Sequence, residues 1–124
     1  MTISSIMNTA LTGLNASSTR LSNSANNVAN INTVKDEKAG IESYRATEVQ
    51  QKAIEPGGTS ASVRERDPAT VQIPDGEGGV TEAPNVNLES EIVQQEIATY
   101  TFEANLKVIK AADEMAEDLL DTFA

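Results

Sequence analysis

The sequence predicts a mainly α fold: an antiparallel two-helix coiled coil formed by the N- and C-terminal helices, with a loop-rich middle segment that has room for a short β-hairpin. Three observations predict it. Near the front, Ile3, Met7, Ala10, Leu14, Leu21 and Val28 recur at three-four spacing, with Ser17 and Ser24 in the gaps. Near the back, Val93, Ile97, Tyr100, Ala104, Val108, Ala111, Met115 and Leu119 do the same. Between them, residues 34–84 hold all four prolines and every glycine except Gly13. A seven-residue apolar repeat marks helices that bury a narrow seam against another helix. The expected organisation is an N-terminal helical segment at 1–33, a loop- and β-rich middle at 34–84, and a C-terminal helical segment at 85–124 that forms one structural domain with 1–33.

The first helix is expected over residues 2–30, with Thr2 or Ser4 as N-cap, since a side-chain oxygen there satisfies an orphan amide of the first turn. Gly13 inside it costs about 1 kcal/mol relative to Ala, unless its missing side chain lets another backbone approach. Asn23, Asn26, Asn27, Asn30 and Asn32 are poor helix formers, and Asn tolerates the left-handed conformation that ends helices, so a stop is expected near 30–33.

In the middle, short β-type stretches occur around Tyr44–Val49, Ser60–Val63 and Thr70–Ile73. They are bounded by Pro56-Gly57-Gly58, Asp67-Pro68 and Pro74-Asp75-Gly76. A connection this long is functional or only partly ordered in the free chain. The last helix is expected over 86–123, with Asn87 as N-cap and Glu89 and Glu91 in the first turn, where carboxylates suit the helix dipole. It carries a second apolar stripe: Ile92, Phe102, Leu106, Ile109, Ala116, Leu120 and Phe123. One stripe suffices to pack on the first helix. The surplus makes a face wide enough for another partner.

Composition narrows the function. The 124 residues make one domain at most, and the aromatics are Tyr44, Tyr100, Phe102 and Phe123 alone, so a monomeric core is thin and neighbouring chains are expected to add stability. Net charge is −10, unevenly placed: residues 1–34 carry only Arg20, whereas 85–124 set Lys107 and Lys110 against many carboxylates. No Lys/Arg cluster exists to neutralise phosphates, which argues against nucleic acid. There is no Cys and no His, removing disulfides, thiolate chemistry, the commonest general base and the commonest metal ligand. No apolar run approaches the roughly 18 residues of a membrane span. The N-terminus lacks the basic region and apolar stretch of a cleavable signal peptide, so export would need another route.

Asp113, Glu117 and Asp121 share a helical face beside Glu114 and Asp118. Helix-borne carboxylate metal sites usually add His, so a solvated or salt-bridging face is the better reading. Asp75-Gly76-Glu77-Gly78-Gly79 lacks the ligand spacing of a calcium loop and the Lys-Ser/Thr of a phosphate loop, and reads as a turn. Ser, Thr and Lys nucleophiles sit in no catalytic motif. The chain therefore reads as no enzyme, with no cofactor, metal or small-molecule substrate.

Certain residues also carry a family resemblance. In front are Ala10-Leu11-Thr12-Gly13-Leu14-Asn15-Ala16, Arg20-Leu21 and Ser24-Ala25-Asn26-Asn27-Val28-Ala29-Asn30-Ile31-Asn32-Thr33; behind are Val86-Asn87-Leu88 through Phe102-Glu103-Ala104-Asn105, Lys107-Val108-Ile109 and Ala112-Asp113-Glu114-Met115. In these the chain resembles the flagellar basal-body rod and hook axial proteins. Tyr44-Arg45, Asp67-Pro68 and Gly79-Val80 through Asn87 look like the middle of the proximal rod members. Phe102 stands where that family commonly has Tyr, and the Thr-x-Gly-Tyr of its longer members is missing.

The resemblance implies a structural subunit of the bacterial flagellar rod in the basal body. It would be exported by the flagellar type III apparatus without signal cleavage, then polymerise through its terminal helices into the torque-transmitting drive shaft that crosses the periplasm. Implied partners are copies of itself, other rod proteins, the basal-body ring and the export apparatus. The expected assembly interface is Leu11, Leu14, Leu21, Val28, Ile31, Ile92, Val93, Ile97, Tyr100, Phe102, Ala104, Leu106, Val108, Ile109, Met115 and Leu119; the motif residues are Gly13, Asn15, Asn27, Asn30, Asn32 and Asn105. The rival reading is a soluble helical-hairpin adaptor or export-chaperone-like binding protein.

Overall fold

The computed structural model describes residues 2–123, with side chains through residue 122. Six elements follow in order: α1 (Ile3–Ala29), β1 (Thr47–Ala53), β2 (Thr59–Glu65), β3 (Thr70–Pro74), β4 (Val80–Pro84) and α2 (Leu88–Phe123). Both helix starts use the expected caps. Thr2 Oγ1 accepts from the Ser5 amide at 3.2 Å, and Asn87 Oδ1 accepts from the Ser90 amide at 2.8 Å.

Helix α1 stops at Ala29, but not through a left-handed asparagine, since no residue other than glycine has positive φ among the described residues. Instead the Asn30 side chain donates to the Asn26 carbonyl at 2.9 Å, and the Thr33 amide bonds the Asn30 carbonyl at 2.9 Å, turning the chain away. Competition by a short amide side chain for backbone partners does the work that a φ change was expected to do.

The middle segment forms two antiparallel hairpins. In β1–β2 the register pairs Thr47 with Glu65 and Ala53 with Thr59; in β3–β4 it pairs Thr70 with Pro84 and Pro74 with Val80. Strands β1 and β2 run further than their β-type residues suggested, and β4 had no counterpart in the sequence reading. The Asp75-Gly76 turn was the available signal for β4. Asp75 Oδ1 accepts from the Glu77 and Gly79 amides, both at 2.8 Å, which makes that loop a hairpin turn.

The two helices run antiparallel. Asn27 meets Glu91, Ser17 meets Thr101, and Gly13 faces Asn105. Each step forward on α1 is a step back on α2, so the last turns of the longer α2 project past the start of α1. Hairpin β1–β2 lies along α1: Asn27 reaches Thr47, Arg20 Nη2 donates to Gln51 Oε1 at 2.8 Å, and Thr12 Oγ1 accepts from the Thr59 amide at 3.0 Å. Among the described residues, neither hairpin packs against α2.

Apart from Pro84, the buried apolar residues among those described are all alanines: Ala10, Ala16, Ala46, Ala69, Ala83, Ala98 and Ala112. The largest fully buried side chains are Glu91, Asn27 and Ser24. This corrects the expectation that an apolar stripe of α2 closes the hairpin. Val93, Ile97, Tyr100, Ala104, Val108, Ala111, Met115 and Leu119 are all exposed. The inward side of α2 instead carries Glu91, Gln95, Ala98, Thr101, Asn105 and Ala112. These recur at the same three-four steps but are small or polar. Helix α1 answers with Ala10, Gly13, Ser17, Ser24 and Asn27.

Candidate assembly surface

A coiled coil with a small, polar inside leaves its large apolar residues outside, and the seam explains how that is tolerated. A buried polar group costs about 1–3 kcal/mol when unpaired, and no buried side-chain nitrogen or oxygen lacks a partner among the described residues. Ser17 Oγ and Thr101 Oγ1 share a hydrogen bond at 2.8 Å. Ser24 Oγ donates to the Glu91 carbonyl at 2.9 Å and accepts from Gln95 Nε2 at 3.2 Å. At Gly13 a Cβ would lie 2.6 Å from Asn105 Oδ1, so a larger residue there would have to push the Asn105 amide aside, and Asn105 Nδ2 donates to the Thr101 carbonyl at 2.8 Å.

Asn27 is the hub where the two helices and hairpin β1–β2 meet. Its Nδ2 donates to the Thr47 carbonyl at 2.8 Å and to Glu91 Oε1 at 3.0 Å; its Oδ1 accepts from the Tyr44 hydroxyl at 3.0 Å and the Thr47 amide at 3.1 Å. Glu91, 2% exposed, also accepts from Arg66 Nη2 at 2.9 Å, and Arg66 Nη1 donates to the Asn85 carbonyl at 2.8 Å. One buried carboxylate thus ties together α1, the end of β2 and the start of α2. A fully satisfied network of this kind specifies register, because a one-turn slip would strand several buried polar atoms. In the sequence Asn27 stands in the asparagine run and among the motif residues, and Glu91 stands in the first turn of α2; nothing there marks either as buried. Arg66 and Thr47 were missed, since nothing local marks them as partners of residues far along the chain.

The expected interface residues fall into two groups. Leu11, Leu21, Ile92, Val93, Ile97, Tyr100, Phe102, Ala104, Leu106, Val108, Met115 and Leu119 are exposed, Tyr100 at 75%. Leu14, Val28, Ile31 and Ile109 are half-buried at the margins of the helix pair. Leu120 of the second stripe is also exposed, while the Phe123 side chain lies outside the described residues. Large aliphatic and aromatic side chains spread along two sides of one helix form the kind of exposed apolar area that marks an interaction site. Leu21, Ile92, Thr99 and Tyr100 border a shallow groove rimmed by Glu96 and Glu103.

Of the motif residues, Gly13, Asn27 and Asn105 sit in the seam. Asn15 is exposed and its carbonyl accepts from Thr19 Oγ1; Asn30 closes α1; Asn32 is exposed in the turn that follows. Among the described residues no group of three or more carboxylates is arranged to hold a metal ion, and Asp113, Glu117 and Asp121 are spread along the exposed face of α2. Nor is any described helix long and apolar enough to cross a membrane. At the surface of β1–β2, the Arg45 guanidinium hydrogen-bonded to Glu65 holds that carboxyl below its ordinary range.

No curated protein matches the chain. Residues 77–122, which run from the β3–β4 turn through α2 and include the exposed apolar stripes, match the family model described as flagellar basal body rod FlgEFG protein C-terminal, so this part of the chain has the C-terminal pattern of flagellar rod proteins.

Proposed function

We propose that the chain is a structural subunit of the flagellar basal-body rod, nearest to the proximal rod protein FlgC, and that it performs no catalysis. The carrying observation is that the matched segment, residues 77–122, is the segment whose large apolar side chains face outward from an internally satisfied helix pair. A chain whose hairpin already closes with alanine, serine and asparagine has no internal use for Ile97, Tyr100, Val108 and Leu119. An assembly subunit does, because burying each such side chain between copies contributes about 1.5–3 kcal/mol. The N-terminal motif around Gly13 and Asn27 supports the same reading. In it the helix pair is the rod module, residues 34–84 lie beside it, and export proceeds through the flagellar type III route to the periplasm-spanning rod.

The test is fractionation of a flagellated strain carrying a tagged copy. Co-purification with detergent-extracted basal bodies is expected, and recovery only in the cytosol would overturn the reading. Ile97→Asp with Ala104→Asp, both at exposed positions, should leave the chain folded and abolish motility; normal motility would sink it as well.

A further inference from the structure

The sealed atoms of the Asn27 hub are all paired, and one oxygen of the hub is left open. Glu91 is 2% exposed, and its Oε1 takes both side-chain donors, Asn27 Nδ2 at 3.0 Å and Arg66 Nη2 at 2.9 Å. Among the described residues nothing donates to Oε2, and no sealed side-chain oxygen lacks a partner, so Oε2 keeps an opening. The opening leads into a cavity of about 240 Å³ that Glu91 lines, between α1, β1 and the first turns of α2. A carboxylate this deeply buried is costly to leave half-bonded, so the free oxygen calls for a donor.

The other charges in the lining narrow what that donor is. Arg66 is paired with Glu91, and Glu48 accepts from Arg64 Nε at 2.8 Å. Arg20, by contrast, donates through Nη2 to the neutral Gln51 at 2.8 Å, which leaves its other N–H groups to bond a ligand. Arg20 and Arg66 against Glu48 and Glu91 make the lining neutral, with one strong acceptor and one strong donor to spare. A cation would donate to Oε2 but meet Arg20 and Arg66. An anion would accept from Arg20 but meet the Glu91 carboxylate. A primary carboxamide avoids both conflicts: its NH2 donates, its carbonyl accepts, and it has no charge to strip of water. We propose that the cavity binds a primary carboxamide, its nitrogen on Glu91 Oε2, its oxygen on Arg20, and its attached carbons against Val49. Two sources carry that group, an asparagine or glutamine side chain of a partner chain and free glutamine. The site stands on the cavity alone and does not depend on the rod reading.

Ligand-observed saturation-transfer NMR on the full chain tests this with propionamide, propionate and propylammonium, which match in size and differ in charge. Propionamide should bind saturably, and the two ions at least about tenfold more weakly, the factor that one charge-assisted hydrogen bond is worth. Arg20→Gln should weaken propionamide by about the same factor, and Val49→Trp, which fills the cavity, should abolish its binding. Glu91→Gln keeps Oε1 for Asn27 and Arg66 and turns an NH2 toward the cavity, so propionate should then bind better than propionamide. Circular dichroism checks that each variant is folded; if Glu91→Gln is not, the Arg20 and Val49 variants decide. Glutamine binding well above propionamide assigns the site to the free amino acid, and equal binding assigns it to a side chain of a partner. No saturable binding of propionamide, equal binding of all three probes, or binding that survives Val49→Trp would overturn the site, whatever the basal-body fractionation shows.

Discussion

Replacing Asn27 with alanine deletes the one side chain that links α1 to β1, Tyr44 and Glu91 together. Its amide group is fully buried and makes bonds to the Thr47 carbonyl, the Thr47 amide, the Tyr44 hydroxyl and Glu91 Oε1 at 2.8–3.1 Å. The Thr47 carbonyl keeps a weaker donor in Asn23 Nδ2 at 3.2 Å, and Tyr44 keeps a long contact to Thr47 Oγ1, so these two lose little. The Thr47 amide is orphaned at about 1–3 kcal/mol, and Glu91 loses one of two side-chain donors, a charge-assisted bond of about 1.5–3 kcal/mol. Asn27→Ala should therefore destabilise the chain by about 3–5 kcal/mol, a large part of the ~5–15 kcal/mol typical of a domain. Urea unfolding followed by circular dichroism at 222 nm measures this as a drop in midpoint at unchanged slope. A loss below about 1 kcal/mol would refute the view that the polar hub, and not apolar packing, holds the hairpin together.

Other substitutions test neighbouring links. Ile97→Ala and Val108→Ala, at exposed positions, should each move monomer stability by no more than about 0.5 kcal/mol in the same assay, the inverse of what a buried stripe would give. Gly13→Ala should lose about 1 kcal/mol, because crowding of Asn105 outweighs the better helix propensity; in an Asn105→Ala background the same change should instead gain about 1 kcal/mol, read from a double-mutant cycle. Glu65 should titrate below the ordinary glutamate range by NMR, and Arg45→Gln should return it to that range. Its depressed value means that the Arg45–Glu65 contribution is present above the unfolded glutamate pKa and fades as pH falls through the folded one.

Much of the fold was legible because its signals are local. The caps at Thr2 and Asn87, the stop after the asparagine run and the β-rich insert each depend on residues within a few positions of one another, and backbone hydrogen bonding and turn geometry act on that scale. The surplus of apolar residues on α2 was legible too, as a count too large for one partner helix. Its orientation was not. Periodicity states that Val93, Ile97 and Val108 share a side; it does not state what covers that side, and the expectation placed α1 on one of the two apolar stripes. The inward sides hold Ser17, Ser24, Asn27, Glu91 and Thr101, which look like solvent-facing residues until their partners are known. Glu91 becomes buriable only when Asn27 and Arg66 arrive from 64 and 25 residues away. Burial of a polar group is decided by such distant donors, so a chain read in isolation specifies its helices, caps and turns, and leaves to the folded arrangement which face is inside.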